Sequence, residues 1–348
     1  MGKPLRLSHR LRIDVLRAKK NFSKLDQYLE KISGKGFDVA GIPFRLLDDF
    51  LTSGTEFGFD ALMPLAHHTF GGQPRLLNAI LCDLSHGTQD RLHQIVSDIA
   101  AHPMTRFEAM GWATYLTHKS PFPQGGSQTS DVFQFWDQPV PPTEVLEGRK
   151  LWKSKTNKHV WYDGNSAQQY IGEGFGQDAA IEYSKLWHPA LKSDVFRLYR
   201  LAKDGGVYCD ADSRPEYRIP EFLKLAGGRV WASSMTNVPN CVTSNGFIAA
   251  PPKSPLIESL LECVLNNIRN AGPRGIFWLS GPGAFTEFLY RNSGKYDVDL
   301  LSHGCLKSEL FRQFDATYKY TEQNWRVFES NLGLDNDAGL KQALIAVS

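Results

Sequence analysis

One run of the chain, Pro189 to Asp212, restricts the possible folds more than any other. It joins a helical pattern to a glycine pair and then to an alternating segment that ends on two carboxylates. Leu191, Val195, Leu198 and Ala202 recur at i, i+4, i+7 and i+11, the spacing of one helix face. Lys192, Arg200 and Lys203 fall opposite, where solvation is expected. Asp194 projects into the apolar arc, with Arg197 one turn on at its edge. A carboxylate on a packed face is costly unless something pairs with it. Two readings fit: an internal Asp194–Arg197 ion pair that locks the helix to a sheet, or two side chains that look into a site.

Gly205-Gly206 supplies a left-handed exit from that helix. The residues after it alternate as a strand would, Val207, Cys209 and Ala211 on one side and Tyr208, Asp210 and Asp212 on the other. A face carrying two acids is not expected to be a core face, and their repulsion calls for a cation. Hard oxygen ligands of this kind suit Mg²⁺ or Mn²⁺, with diphosphate oxygens and waters completing the shell. An Asp-x-Asp triplet alone arises by chance about once in a chain of this length. The fixed context upstream is what gives it weight.

With that context, Ser193-Asp194-x-x-Arg197 followed by Gly205-Gly206-x-Tyr208-x-Asp210-x-Asp212 resembles a known sugar-transferase family. It holds capsular-polysaccharide transferases, yeast-type initiating mannosyltransferases and, more distantly, the glucosylating clostridial toxins. Val132-Phe133-Gln134-Phe135-Trp136 resembles the family's opening strand, with Gln134 where the family has His, and Val160-Trp161-Tyr162-Asp163 resembles its second strand. Asn245-Gly246-Phe247-Ile248-Ala249-Ala250, Gly281-Pro282-Gly283 and Asn324-Trp325 resemble later elements, although a terminal His-x-x-Ser-Trp is missing. The similarity spans about residues 131–328.

The resemblance implies an α/β GT-A fold, a Rossmann-like mixed sheet flanked by helices. It also implies transfer of a hexosyl unit, with retention, from a UDP- or GDP-linked donor to a glycan or protein acceptor. Carried over position by position, Trp136 would stack on the base, Asp194 and Arg197 would hold sugar hydroxyls, and Tyr208 would line the diphosphate pocket. Asp210 would reach ribose and metal, and Asp212 would ligate Mn²⁺ or Mg²⁺ directly. Asn245, Gly281 and Trp325 would complete the donor-binding set. Gly281 also has a plainer reading, the opening of a helix. Surface-polysaccharide synthesis is the expected setting. The alternatives are a non-catalytic nucleotide-sugar or glycan-binding module, or an effector that glycosylates a host protein.

The 348 residues leave room for two domains. A breaker cluster from Ser120 to Ser127 sets the expected boundary. The resulting division is a helical domain over 1–119, a linker over 120–130, the transferase domain over 131–330 and a tail over 331–348. A net charge of +2 makes no case for nucleic acid, and five cysteines without paired spacing suit a reducing compartment. With no apolar run approaching a membrane span and no secretory signal, a cytoplasmic location is expected. The first 35 residues are strongly basic, with Leu11, Val15 and Leu16 as a candidate apolar stripe. That suits either a solvated helix or peripheral contact with an anionic membrane surface. His67-His68 lacks the partners of a zinc site, and no Walker-type loop occurs.

Overall fold

The computed structural model describes residues 3, 5–19, 21–37, 39, 42–53, 74–98, 102–121, 131–216, 229–270 and 274–331. Residues 122–130 of the expected linker, 332–348 of the expected tail, and the pair His67-His68 lie outside them.

The chain forms two compact units. The first takes in residues 1–117 with 235–242 and 302–304. Its described residues include helices Leu7–Ala18, Phe22–Ser33, Ile42–Ser53, Pro74–His86, Asp90–Ser97 and Pro103–His118. Later segments of the chain are tied into this unit by polar contacts. Thr236 Oγ1 and the Gly304 amide both donate to the buried Asp48 carboxylate, and Trp112 Nε1 donates to Pro239 O at 2.9 Å.

The second unit is built on strands β1 (Val132–Phe135), β2 (His159–Tyr162), β3 (Gly206–Cys209), β5 (Val230–Ser234), β6 (Thr243–Ala250) and β7 (Val298–Ser302), in the order β2-β1-β3-β6-β5-β7. β1 runs parallel to β2 and β3, while β6 is antiparallel to β3 and β5. β4 (Ser213–Pro215) and β8 (Phe311–Gln313) form a separate antiparallel pair. This is the Rossmann-like mixed α/β sheet flanked by helices that the resemblance implied.

The Pro189–Asp204 helix starts and stops as its sequence dictates. Pro189 takes the first turn, His188 Nδ1 accepts from the Ala190 amide at 3.0 Å, and Gly205 leaves at φ 65°. Gly206 follows at φ 109°, where a side chain would meet the Asp131 carbonyl, so close strand packing requires glycine here.

Two expectations are corrected. Arg200 is buried rather than solvated: it lies over the Phe133 ring at 5.2 Å and pairs with Asp204 at 3.5 Å. The alternating segment is not one strand to Asp212, and its Tyr208 face is a core face. β3 ends at Cys209, and Asp212 lies in the turn before β4. Both sides of β3 are covered, as is usual where helices flank parallel strands. Val207 and Cys209 pack with Trp152, Trp231 and Phe247, while Tyr208 packs against Phe133 and beneath Arg197.

Candidate active site

The strand order places the site. From β1 the chain reaches β2 on one side and β3 on the other, so the order reverses between β1 and β3. A crevice opens beyond the carboxyl ends of parallel strands at such a switch point. Trp136 follows β1 and Asp210 follows β3. β6 runs the opposite way, which brings its early residues Asn245 and Gly246 to the same end, where the Asp210 amide donates to Gly246 O at 2.9 Å.

Five of the expected residues form one network. Arg197 Nη2 lies 2.7 Å from Asp194 Oδ1 and 3.6 Å from Asp210 Oδ1, and its Nη1 donates to the Asn245 carbonyl. Its Nε donates to the Ser193 carbonyl at 3.1 Å, and the guanidinium covers the Tyr208 ring at 4.2 Å. Asp194 also accepts from Asn245 Nδ2 and Ser280 Oγ, each at 2.8 Å. The internal ion pair of the first reading is therefore present, with a wider set of partners than two residues. Burial pushes the Asp194 carboxyl up to about 6, against the pull of Arg197 and the Ser280 hydrogen bond.

Tyr208 Oη donates to Asp210 Oδ1 at 3.0 Å and pairs with Ser193 Oγ at 2.9 Å. Beneath the acids, Gln134 Nε2 donates to the Asp210 carbonyl at 3.0 Å, and Gln134 Oε1 pairs with His159 Nε2 at 3.0 Å. Ser213 Oγ donates to the same carbonyl at 2.6 Å. Gly246 leaves room for the Asp210 carboxylate, since a Cβ there would overlap Oδ2.

Asp212 is only 5% exposed. Its Oδ2 receives Lys319 Nζ at 2.6 Å and Tyr318 Oη at 3.2 Å, while its Oδ1 is buried without a hydrogen-bond partner. Burial, then repulsion from Asp210, raises its pKa. A buried carboxylate oxygen lacking a donor, beside a second acid, is the donor chemistry a hard divalent ion takes. The residues present fit such an ion. No group of three or more His, Cys, Asp or Glu gathers around a common point among the described residues.

Trp136 stands edge-on to Tyr318 at 5.0 Å, and its buried Nε1 has no partner. Gly281 caps the Pro282–Arg291 helix and adjoins Ser280, the Asp194 donor. Trp325 is placed with Phe277, their rings stacked at 6.1 Å, rather than with the acids.

Sequence reasoning missed Ser280, His159, Gln313, Tyr318 and Lys319. Gln313 Nε2 lies 3.4 Å from Asp210 Oδ2. The pairing of β4 with β8 turns the late chain back over the acids, and a signal for that pairing is absent from either three-residue strand alone. The Asp-x-Asp pair was the available clue, because two neighbouring acids demand a cation from elsewhere.

Residues 150–228 match the family described as the glycosyltransferase sugar-binding region containing DXD motif. Toxin Afp18 of Yersinia ruckeri serotype O1 is 30% identical over 106 residues, covering 29% of this chain and 5% of that protein. A toxin of Photorhabdus asymbiotica subsp. asymbiotica is 26% identical over 128 residues, covering 36% of this chain and 4% of that protein. The chain thus spans a small fraction of the length of these two curated relatives. Among solved structures, PaToxG Glycosyltransferase aligns over 58% of this chain and 79% of its own, with 16% identity and a TM-score of 0.32. Arg197, Tyr208, Asp210 and Asp212 all fall inside the matched stretch, which is what this chain shares with that family.

Proposed function

We propose that this chain transfers a hexosyl unit, with retention, from a UDP- or GDP-linked sugar to an acceptor hydroxyl, with Mn²⁺ or Mg²⁺ at Asp210 and Asp212. The observation that carries the reading is the buried, unpartnered Oδ1 of Asp212 beside Asp210 at the switch point of the sheet. Asp212 and Asp210 would hold the ion. A divalent ion bound there supplies Lewis-acid neutralisation of charge growing on the diphosphate.

The chain's own residues do the rest. Gln134 and Ser213 fix the Asp210 backbone, so its carboxylate is aimed before donor arrives. Tyr208 holds one Asp210 oxygen, and Gln313 Nε2 lies 3.4 Å from the other. Arg197 spends its donors on Ser193, Asn245, Asp194 and Asp210, and so keeps the Asp194 carboxylate in place. Asp194 then accepts a sugar hydroxyl with its remaining lone-pair capacity, restricting the donor to a reactive pose. Trp136 offers an indole N–H and a ring to the base.

Two relatives named as toxins support the effector alternative, a protein acceptor, over surface-polysaccharide synthesis. Five cysteines without paired spacing suit work in a reducing cytoplasm. On the Leu7–Ala18 helix, Leu7, Leu11 and Val15 are 73%, 58% and 50% exposed, whereas Leu16 is half-buried, so the apolar stripe is shifted by one turn from the expected one. With Lys3, Arg6 and Arg10 close by in sequence, this stripe supports peripheral contact with anionic lipid. Leu7→Asp combined with Leu11→Asp should abolish co-sedimentation with phosphatidylserine vesicles. Unchanged sedimentation would remove the membrane contact from the reading.

The main test is donor hydrolysis across UDP- and GDP-sugars with and without Mn²⁺. Asp212→Asn should lower turnover by at least about a hundredfold, equivalent to roughly 3 kcal/mol, while the circular dichroism spectrum stays unchanged. Full turnover by that variant, or metal-independent turnover by the wild type, would sink the assignment.

A further inference from the structure

Lys319 lies outside every motif in the chain, yet it supplies the cation for the buried Asp212 carboxylate. Its Nζ is 2.6 Å from Oδ2, and the same ammonium donates to the Phe314 carbonyl at 2.7 Å. The segment that carries it is held at several points. Thr317 gives its amide (2.8 Å) and its hydroxyl (2.6 Å) to Glu144 Oε1, and Asn324 Nδ2 donates to the Lys319 carbonyl at 2.6 Å. Tyr318 Oη adds a second donor to Asp212 Oδ2, and its ring meets the edge of Trp136. The strap from Phe314 to Asn324 therefore presents one fixed positive charge to one oxygen of Asp212 and leaves the other oxygen without a partner.

An ammonium and a divalent ion cannot share one carboxylate at contact distance without strong repulsion, because two like charges at about 4 Å in a partly buried setting oppose each other by several kcal/mol. The Asp212 side chain is 6% exposed and that of Lys319 28%, so water screens this pair poorly while the lysine keeps an outward path. We propose that Lys319 is a tethered counter-cation: it neutralises Asp212 in the donor-free protein and leaves Oδ2 when the metal enters, so that metal affinity is set partly by the strap. The proposal rests on the reading of Asp212 as a metal ligand.

The test uses the full chain and Mn²⁺ alone, with free Mn²⁺ followed by electron paramagnetic resonance and no nucleotide present. Lys319→Met, which keeps most of the stem and removes the charge, should bind Mn²⁺ about tenfold more tightly than wild type. Lys319→Gln, which can still hydrogen-bond to Phe314, should tighten binding likewise, whereas Lys319→Arg should stay near wild type. Thermal unfolding gives an independent reading: saturating Mn²⁺ should raise the melting temperature of the Met and Gln variants more than that of wild type. Equal or weaker Mn²⁺ binding by both uncharged variants, with wild type still binding, overturns the counter-cation role alone. A change in Met with Gln unmoved assigns Lys319 to loop structure and also overturns it. Absence of Mn²⁺ binding from wild type and all variants overturns the metal assignment together with it.

Discussion

Asp194 and His159 titrate against each other, although they lie in different parts of the site. Burial lifts the Asp194 carboxyl from its ordinary 3.8 to about 6. Between those values the folded chain holds a proton that the unfolded chain has released, so this group lowers stability as pH rises through the window. Burial, aided by Arg149 and Lys153, drops the His159 imidazole from 6.5 to about 4. There the unfolded chain holds the extra proton, so this group raises stability over nearly the same range. The two slopes should largely cancel in wild type. Asp194→Asn should unmask a rise in urea stability from pH 4.5 to 6.5, and His159→Gln a fall. Identical pH dependence in all three proteins would contradict the opposed pair. In activity, loss of the Asp194 charge should reduce kcat/KM below about pH 6.

The acid pair lies beyond the end of a strand, while its partners Asp194 and Arg197 come from the middle of a helix. β3 stops at Cys209, and the polar cluster starts at the next residue, where the Asp210 amide bonds to Gly246 on β6. Gly246 makes that close approach possible, since any side chain there would overlap Asp210 Oδ2. Gly246→Ala should cost little stability, because a carboxylate can swing aside, but should weaken Mn²⁺ binding by roughly tenfold, about 1.4 kcal/mol. Calorimetric titration of the folded variant checks this, and unaltered affinity would mean that Asp210 is not a ligand in that rotamer. This part of the site was legible beforehand. Asp194, Arg197, Tyr208 and Asp210 lie along one helix–glycine–strand run whose local spacing brings them together, whereas Asp212 falls in the turn beyond the strand. The helix was foreseen because its apolar repeat has one buried solution. Arg200 was misread because a guanidinium can bury its stem and lay its head over Phe133 while still meeting Asp204.

The unit that contains the amino-terminal helices is completed by residues 235–242 and 302–304. Asp48 has Thr236 and Gly304 as donors, and the Pro103–His118 helix carries Gly111, where a side chain would collide with the Asn240 backbone. Residues 1–119 produced alone would lack all of these partners, leaving a buried carboxylate unsatisfied. Such a fragment should show helical far-ultraviolet dichroism with no cooperative thermal transition. A sharp melt at the temperature of the full chain would mean that the helices suffice by themselves.

The resemblance implied an α/β chain, while periodicity and glycine placement were enough to specify a helix, a stop and a strand leading to a carboxylate pair, because those signals act over one or two turns of backbone. They could not say which cation meets Asp212. That depends on β4 finding β8, after which the chain brings Lys319, with Tyr318 beside it, to Asp212. Nor could they say that a charged face would be buried, since burial is a property of what packs over a strand and not of the strand. Local chemistry chose the groups, and long-range pairing chose their partners, because a buried charge is tolerable only where the folded chain delivers its opposite.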